Sequence, residues 1–174
     1  MKAWISAEPG GPETLALGEL PEPVAGAGQV LVGIEACGIN YPDHLIIRDL
    51  YQTKPPRPFA PGGEIAGTVL EIGAGVAGLA PGDRVIARTA WGGLAERVAV
   101  PAEKCALMPA GMDFTEGSAL LFTYGTSYHA LVQRGRIAAG DRVLVLGAAG
   151  GTGIAAIELA KAFGATVCAA VSSE

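Results

Sequence analysis

The segment RVLVLGAAGGTGIAAIELAKAFGATVCAAV, Arg142 to Val171, constrains the fold of this chain more than any other feature. RVLVLG is a near-continuous apolar run of the kind buried on both faces of a parallel sheet. The loop GAAGGTG follows, Gly147 to Gly153, then a helical pattern from Ile154 to Phe163 and a second strand, TVCAAV. Strand, glycine loop, helix and strand in that order make one βαβ unit. Parallel pairing puts the loop at the carboxyl edge of its first strand and at the N-terminus of the helix, where free N–H groups and the helix dipole attract an anion. Glycines there let a pyrophosphate approach the backbone and let the helix pack close to the strand. A tight strand-to-helix turn alone is the competing reading, and the ordered elements around the loop favour dinucleotide binding. The predicted cradle is Gly147, Ala148, Ala149, Gly150, Gly151, Thr152 and Gly153.

The end of the second strand bears on which dinucleotide fits. An acidic residue about 20 residues beyond the loop accepts hydrogen bonds from the ribose hydroxyls of NAD. Here the chain reads Val171, Ser172, Ser173. A carboxylate would repel a 2′-phosphate, whereas two hydroxyls can donate to it. Ser172 and Ser173 therefore favour NADPH over NADH, with Glu174 as the acid that would serve if the strand ran further.

The first 110 residues have a different texture. Gln29 to Cys37 alternates, with Val30, Val32, Ile34 and Ala36 on one face, and Glu64 to Ile72 alternates again. Shorter runs at Asp83–Arg88, Leu94–Val100 and Cys105–Pro109 are set off by PGD, WGG and PAE turns. The 26 glycines and 12 prolines are spread between these runs, as short strands joined by tight turns require. Asp113, with Glu116 three residues on, predicts a capping box, and a helical segment is expected from Thr123 to Arg134. The expected domain boundary lies at Phe122, giving residues 1–122 and 123–174.

Several classes are disfavoured. A formal charge of −5 without any basic run argues against nucleic acid. Cys37, Cys105 and Cys168 are far apart and only two histidines are present, so neither a disulfide framework nor a metal motif emerges, and a cytoplasmic location is expected. MKAWISAEPGG lacks the apolar core of a secretory signal. Glu158 and Lys161 interrupt the one stretch apolar enough to suggest a membrane span.

The stretches GQVLVGIEACGINYPDHLIIRDLY, PFAPGGEIAGTVLEIGAGVAGLAPGDRVIA, GGLAERVAVP, FTYGTSYHAL and VLVLGAAGGTGIAAIELAKAFGA together resemble the first half of a medium-chain dehydrogenase/reductase, in its zinc-less quinone oxidoreductase branch. The resemblance implies a mixed α/β fold, in which a GroES-like β-barrel catalytic domain is followed by the first βαβ unit of a Rossmann domain, with the active site in the cleft between them. It also implies a homodimer when full length. Where zinc-dependent relatives carry a first cysteine, this chain has Asn40; where they carry a histidine between glycine and glutamate, it has Gly63 between Gly62 and Glu64; their third ligand falls near Phe122. No zinc is expected. By the same resemblance Asn40, Tyr41 and Asp43 lie near the nicotinamide and substrate, Tyr51 lines the substrate mouth, and Thr126 touches the cofactor. An Asx turn after the strand is the competing account of Asn40 and Asp43, and helix capping of Thr126. Cys37 reads as core, and Tyr128 and His129 as interdomain packing.

Without a Lewis acid, alcohol oxidation loses its main electrostatic support, whereas a quinone or the β-carbon of an enone or enoyl thioester spreads incoming charge onto its own conjugated oxygen. The expected activity is NADPH-dependent reduction of such an acceptor, with the proton returned from solvent or a tyrosine hydroxyl. The relatives continue through further strands, so this chain is expected to be a fragment or to depend on another chain. The alternative is a cofactor-binding or structural module of the same fold without turnover.

Overall fold

The computed structural model describes residues 1–172, which divide into two compact units, one from Met1 to Ala119 and one from Leu120 onward. The first is built on a five-stranded antiparallel sheet in the order β6-β3-β4-β5-β7. Its strands are β3 (Gln29–Gly38), β4 (Glu64–Ile72), β5 (Arg84–Arg88), β6 (Arg97–Pro101) and β7 (Cys105–Leu107). Val30 and Val32 of β3, Ile65 and Val69 of β4, Val85 and Ala87 of β5 and Val100 of β6 form one buried core, with Ile34 and Cys37 packed against it. The face predicted from alternation in β3 is thus the core face. Leu31 is buried as well, because the β3/β4 register shifts between Leu31 and Val32 and again between Ile34 and Ala36. Bulges of this kind bend a strand and break strict alternation.

Strands β1 (Lys2–Ile5) and β2 (Ala16–Glu19) form a separate antiparallel pair that periodicity does not reveal. The capping box is present: Glu116 N–H donates to Asp113 Oδ1 at 2.7 Å and Asp113 N–H donates to Glu116 Oε2 at 3.2 Å. The helix it opens is a single turn, α2 (Phe114–Gly117), following α1 (Tyr41–Ile46).

In the second unit α3 (Thr123–Tyr128) runs into a π-helical turn at His129–Arg134, closed by a Gly135 N–H bond to the Ala130 carbonyl. Then come β8 (Arg142–Leu146), α4 (Gly151–Ala162) and β9 (Thr166–Ala170), with β8 and β9 parallel from Arg142↔Thr166 to Leu146↔Ala170. Helix α4 starts at Gly151, earlier than the expected Ile154, because Gly150 is its N-cap and the last glycines of the loop are already helical. Apolar periodicity cannot see residues without side chains.

The predicted burial of β8 on both faces does not hold among the described residues: Val145 is 8 % exposed, but Leu144 and Leu146 are 62 % and 74 % exposed. Helix α4 packs against β8 and β9, and β8 pairs with β9 alone. Burying both faces of a parallel sheet takes helices on both sides.

Candidate functional site

In the first unit a polar cluster forms where β3 ends. Asn40 is the N-cap of α1, extended at φ −122° and ψ 159°, with Pro42 in the opening turn where its missing N–H is harmless. The Asn40 N–H donates to Asp43 Oδ2 at 2.7 Å, and Asp43 N–H donates to the Asn40 carbonyl at 3.0 Å. Asn40 and Asp43 thus open a short helix together. Asp43 is 6 % exposed, and the backbone N–H groups of Asn40, Gly62 and Gly63 favour the charged form of its carboxylate. Burial pushes its pKa up and the three N–H groups pull it down, with burial the larger influence. Its carboxylate thus fixes the Asn40 backbone at the start of α1.

Glu64 opens β4 opposite Gly38 and is fully buried. Its Oε2 accepts a hydrogen bond from Asn40 Nδ2 at 3.1 Å. In the sequence Glu64 stands only as the start of an alternating run, beside the position of the missing histidine. The available signal was a lone carboxylate at the head of the apolar run EIAGTV, a place where a charge needs a partner. Tyr41 is 73 % exposed and stacks on His44, ring centroids 6.0 Å apart. Tyr51 is half-buried against Ile46, Ile47 and Phe59. The segment between them is held by Arg57, which donates to Ser6 Oγ, to the Ile47 carbonyl at 3.0 Å and to Asp49 Oδ1 at 2.8 Å, and lies over the Phe59 ring. Cys37 packs on the core, where burial first and the Asp43 and Glu64 charges second push its thiol to about 12. Among the described residues no three His, Cys, Asp or Glu side chains are grouped to hold a metal ion.

In the second unit the glycines of the loop divide their tasks. Gly147 adopts φ +65°, a conformation open to glycine at little cost. A Cβ on Gly153 would lie 2.5 Å from the Gly147 carbonyl oxygen and 2.8 Å from Ala148 Cα, so this glycine serves the close approach of α4 to the end of β8. The outer rim is different. A Cβ on Gly150 would meet only the Gly147 oxygen at 3.5 Å, and one on Gly151 only Thr123 Cγ2 at 3.0 Å. Ala149, Gly150, Gly151 and Thr152 are exposed while Ala148 is buried. The first N–H groups of α4, from Gly151 to Gly153, have no acceptor within the helix, as at any helix N-terminus.

Ser127 on α3 is 2 % exposed and donates to the Thr152 carbonyl at 2.9 Å, tying α3 to the first turn of α4. Thr126, its exposed neighbour, shares with Gly147, Gly150, Gly151 and Thr152 the wall of a cavity of about 450 Å³. The Tyr124 hydroxyl donates to the Glu158 carboxylate, a second tie between the two helices. Tyr128 packs within its own unit against Phe163, and His129 Nδ1 pairs with Gln133 Oε1 at 2.6 Å. Ser172 is exposed just past β9, while Ser173 and Glu174 lie outside the described residues. No helix is long and apolar enough to cross a membrane among the described residues.

Residues 26–110 match the alcohol dehydrogenase GroES-like domain family. A probable oxidoreductase from Mycobacterium abscessus superposes with a TM-score of 0.93 at 44 % identity, over 99 % of this chain and 56 % of that one. Residues 26–110 thus belong to that GroES-like domain family, and the chain's structural neighbours are members of the medium-chain dehydrogenase/reductase superfamily. Within this superfamily the Thermus thermophilus quinone oxidoreductase, whose structure was also solved with NADPH, superposes with a TM-score of 0.86 at 41 % identity, over 99 % of this chain and 54 % of that one. A quinone oxidoreductase-like protein 2 homolog from Nematostella vectensis is 41 % identical over 151 residues, 86 % of this chain and 41 % of that protein. The chain thus spans about half the length of the relatives it matches. The GroES-like domain expected from the resemblance and the superfamily itself are borne out.

Proposed function

We propose that this chain provides the GroES-like unit and the cofactor-phosphate loop of a zinc-independent reductase that delivers hydride from NADPH to a quinone or an activated alkene. The observation that carries the reading is the open outer rim of the glycine loop at the N-terminus of α4, a twelve-residue helix. Phosphate oxygens fit this donor set: free backbone N–H groups, the positive end of a helix dipole and room where a Cβ would otherwise stand. The Ser172 and Ser173 hydroxyls donate to a 2′-phosphate, and Thr126 lines the cavity beside the glycine loop. NADPH, when bound, supplies the hydride.

In the first unit Asn40 and Tyr41 orient the acceptor, with Tyr51 beside them, while Asp43 holds the backbone that carries Asn40. Asn40 and Gly63 stand where zinc-dependent relatives have ligands, so the protein works by orientation and exclusion of water rather than as a Lewis-acid site. Three free cysteines suit a reducing, cytoplasmic setting.

The test uses the 174-residue chain and the same chain joined to the C-terminal half of its Thermus relative. NADPH oxidation by the joined protein is expected to be stimulated by small quinones, enals or enoyl thioesters, and barely to run backwards from simple alcohols with NADP. A folded joined protein that binds NADPH yet leaves all three acceptor classes unreduced would establish the binding-module alternative instead.

A further inference from the structure

We propose that Glu64 is the positioning residue for Asn40, holding its side-chain amide in one of its two orientations so that the same atoms always face the acceptor. The proposal rests on the role given to Asn40 under the proposed function. An asparagine amide can turn over at little steric cost, exchanging a hydrogen-bond donor for an acceptor at the same place. An orienting group must not do so. The Asn40 backbone is already set by Asp43, which accepts its N–H at 2.7 Å, but that bond leaves the amide free to turn. The bond from Nδ2 to Glu64 Oε2 at 3.1 Å removes this freedom, because an ionised carboxylate accepts and never donates.

Glu64 is well placed to be rigid. It is fully buried, lies in a strand paired on both sides, and is in register with Gly38 on one neighbour and Arg88 on the other. The missing Cβ of Gly38 helps: one added there would come 3.4 Å from Glu64 Oε2 and 2.1 Å from the Ser118 carbonyl oxygen. Packing alone does not call for a charge at this position. Burying a carboxylate is costly, and a glutamine of the same shape would fill the space with less desolvation. What the carboxylate has and glutamine lacks is an acceptor-only character, the property that fixes a neighbouring amide.

The sequence offers a direct probe, since Asn40 is its only asparagine. Selective ¹⁵N-asparagine labelling of the 174-residue chain reports a single side-chain NH₂ pair. Its two protons should be well separated in chemical shift. Glu64→Gln should move the pair and bring the two protons together, whereas Glu71→Gln, exposed on the same strand, should leave it in place. In the joined protein Glu64→Gln should lower kcat about tenfold with KM for NADPH changed less than about twofold, and should add less than about twofold to the loss caused by Asn40→Ala. An NH₂ pair indifferent to Glu64→Gln overturns the proposal, as does a Glu64→Gln chain that no longer folds, which would assign the residue to the fold. Asn40→Ala with unchanged kcat overturns the role given to Asn40 itself. Asn40→Ala that slows turnover, with Glu64→Gln slowing it independently, overturns the Glu64 assignment alone.

Discussion

The buried hydroxyl of Ser127 on α3 donates to the Thr152 carbonyl in the first turn of α4 at 2.9 Å. This bond fixes the glycine loop from outside, through a helix rather than through the strand that leads into it. Removing the donor as Ser127→Ala should cost about 1 kcal/mol, the net worth of a typical buried hydrogen bond. Urea denaturation followed by circular dichroism should show an earlier midpoint with an unchanged slope. A midpoint that stays put would mean that the tie contributes nothing to the fold.

Two glycines of the same loop should fail in different ways. Gly153→Ala drives a Cβ to 2.5 Å from the Gly147 carbonyl oxygen, a backbone atom that cannot swing aside, and should destabilise the second unit by about 1–3 kcal/mol. Gly150→Ala meets nothing closer than 3.5 Å and should leave the melting temperature nearly unchanged. In the joined protein, however, Gly150→Ala and Gly151→Val should both weaken NADPH binding by crowding the phosphate rim. Paired thermal melts and cofactor fluorescence titrations separate the two effects. Loss of stability in Gly150→Ala without loss of binding would argue that the rim is a turn and nothing more.

Cysteine reactivity should follow burial. Cys37 and Cys105 are pushed up to about 12 and about 11 from an ordinary 9.0, while Cys168 is exposed. Iodoacetamide at pH 8 should modify Cys168 first and leave the other two largely protonated and unreacted, as mass spectrometry of timed samples can read. The sign of the stability effect follows from the same shifts. The folded state holds these protons more tightly, so their contribution is complete below about pH 9 and is lost as pH rises towards 11 and 12. A chain whose stability rose between pH 9 and 11 would contradict the burial of both thiols.

Cofactor choice turns on the segment after β9. Ser172→Asp in the joined protein should reverse a preference for NADPH over NADH, because a carboxylate repels the 2′-phosphate and accepts from ribose hydroxyls. The NADPH preference of the unsubstituted protein should shrink as salt is raised, since exposed phosphate contacts are screened. Equal affinities for the two cofactors before substitution would remove Ser172 and Ser173 from the pocket.

Elements whose signals are local and consecutive are legible in the amino-acid sequence. β3 and β4 could be read from alternation, the capping box from Asp113 and Glu116, and the βαβ unit from the order of its apolar and glycine segments. What it left undecided depends on contacts between residues far apart in the chain. Six residues from Tyr41 to Ile46 are too few to show a helical period, and the bonds between Asn40 and Asp43 that open this turn are visible only in the folded chain. Composition marked the loop as glycine-rich, but the division between Gly153, pressed against a carbonyl, and Gly150, facing open space, appears only once α4 is set on β8. The apolar residues Leu144 and Leu146 looked like core because hydropathy records what a side chain prefers and not what covers it. Asn40 and Glu64, 24 residues apart, become partners because antiparallel pairing of β3 with β4 brings the end of one strand to the start of the other. A long-range register of that kind is a property of the folded sheet, and no local pattern in the chain encodes it.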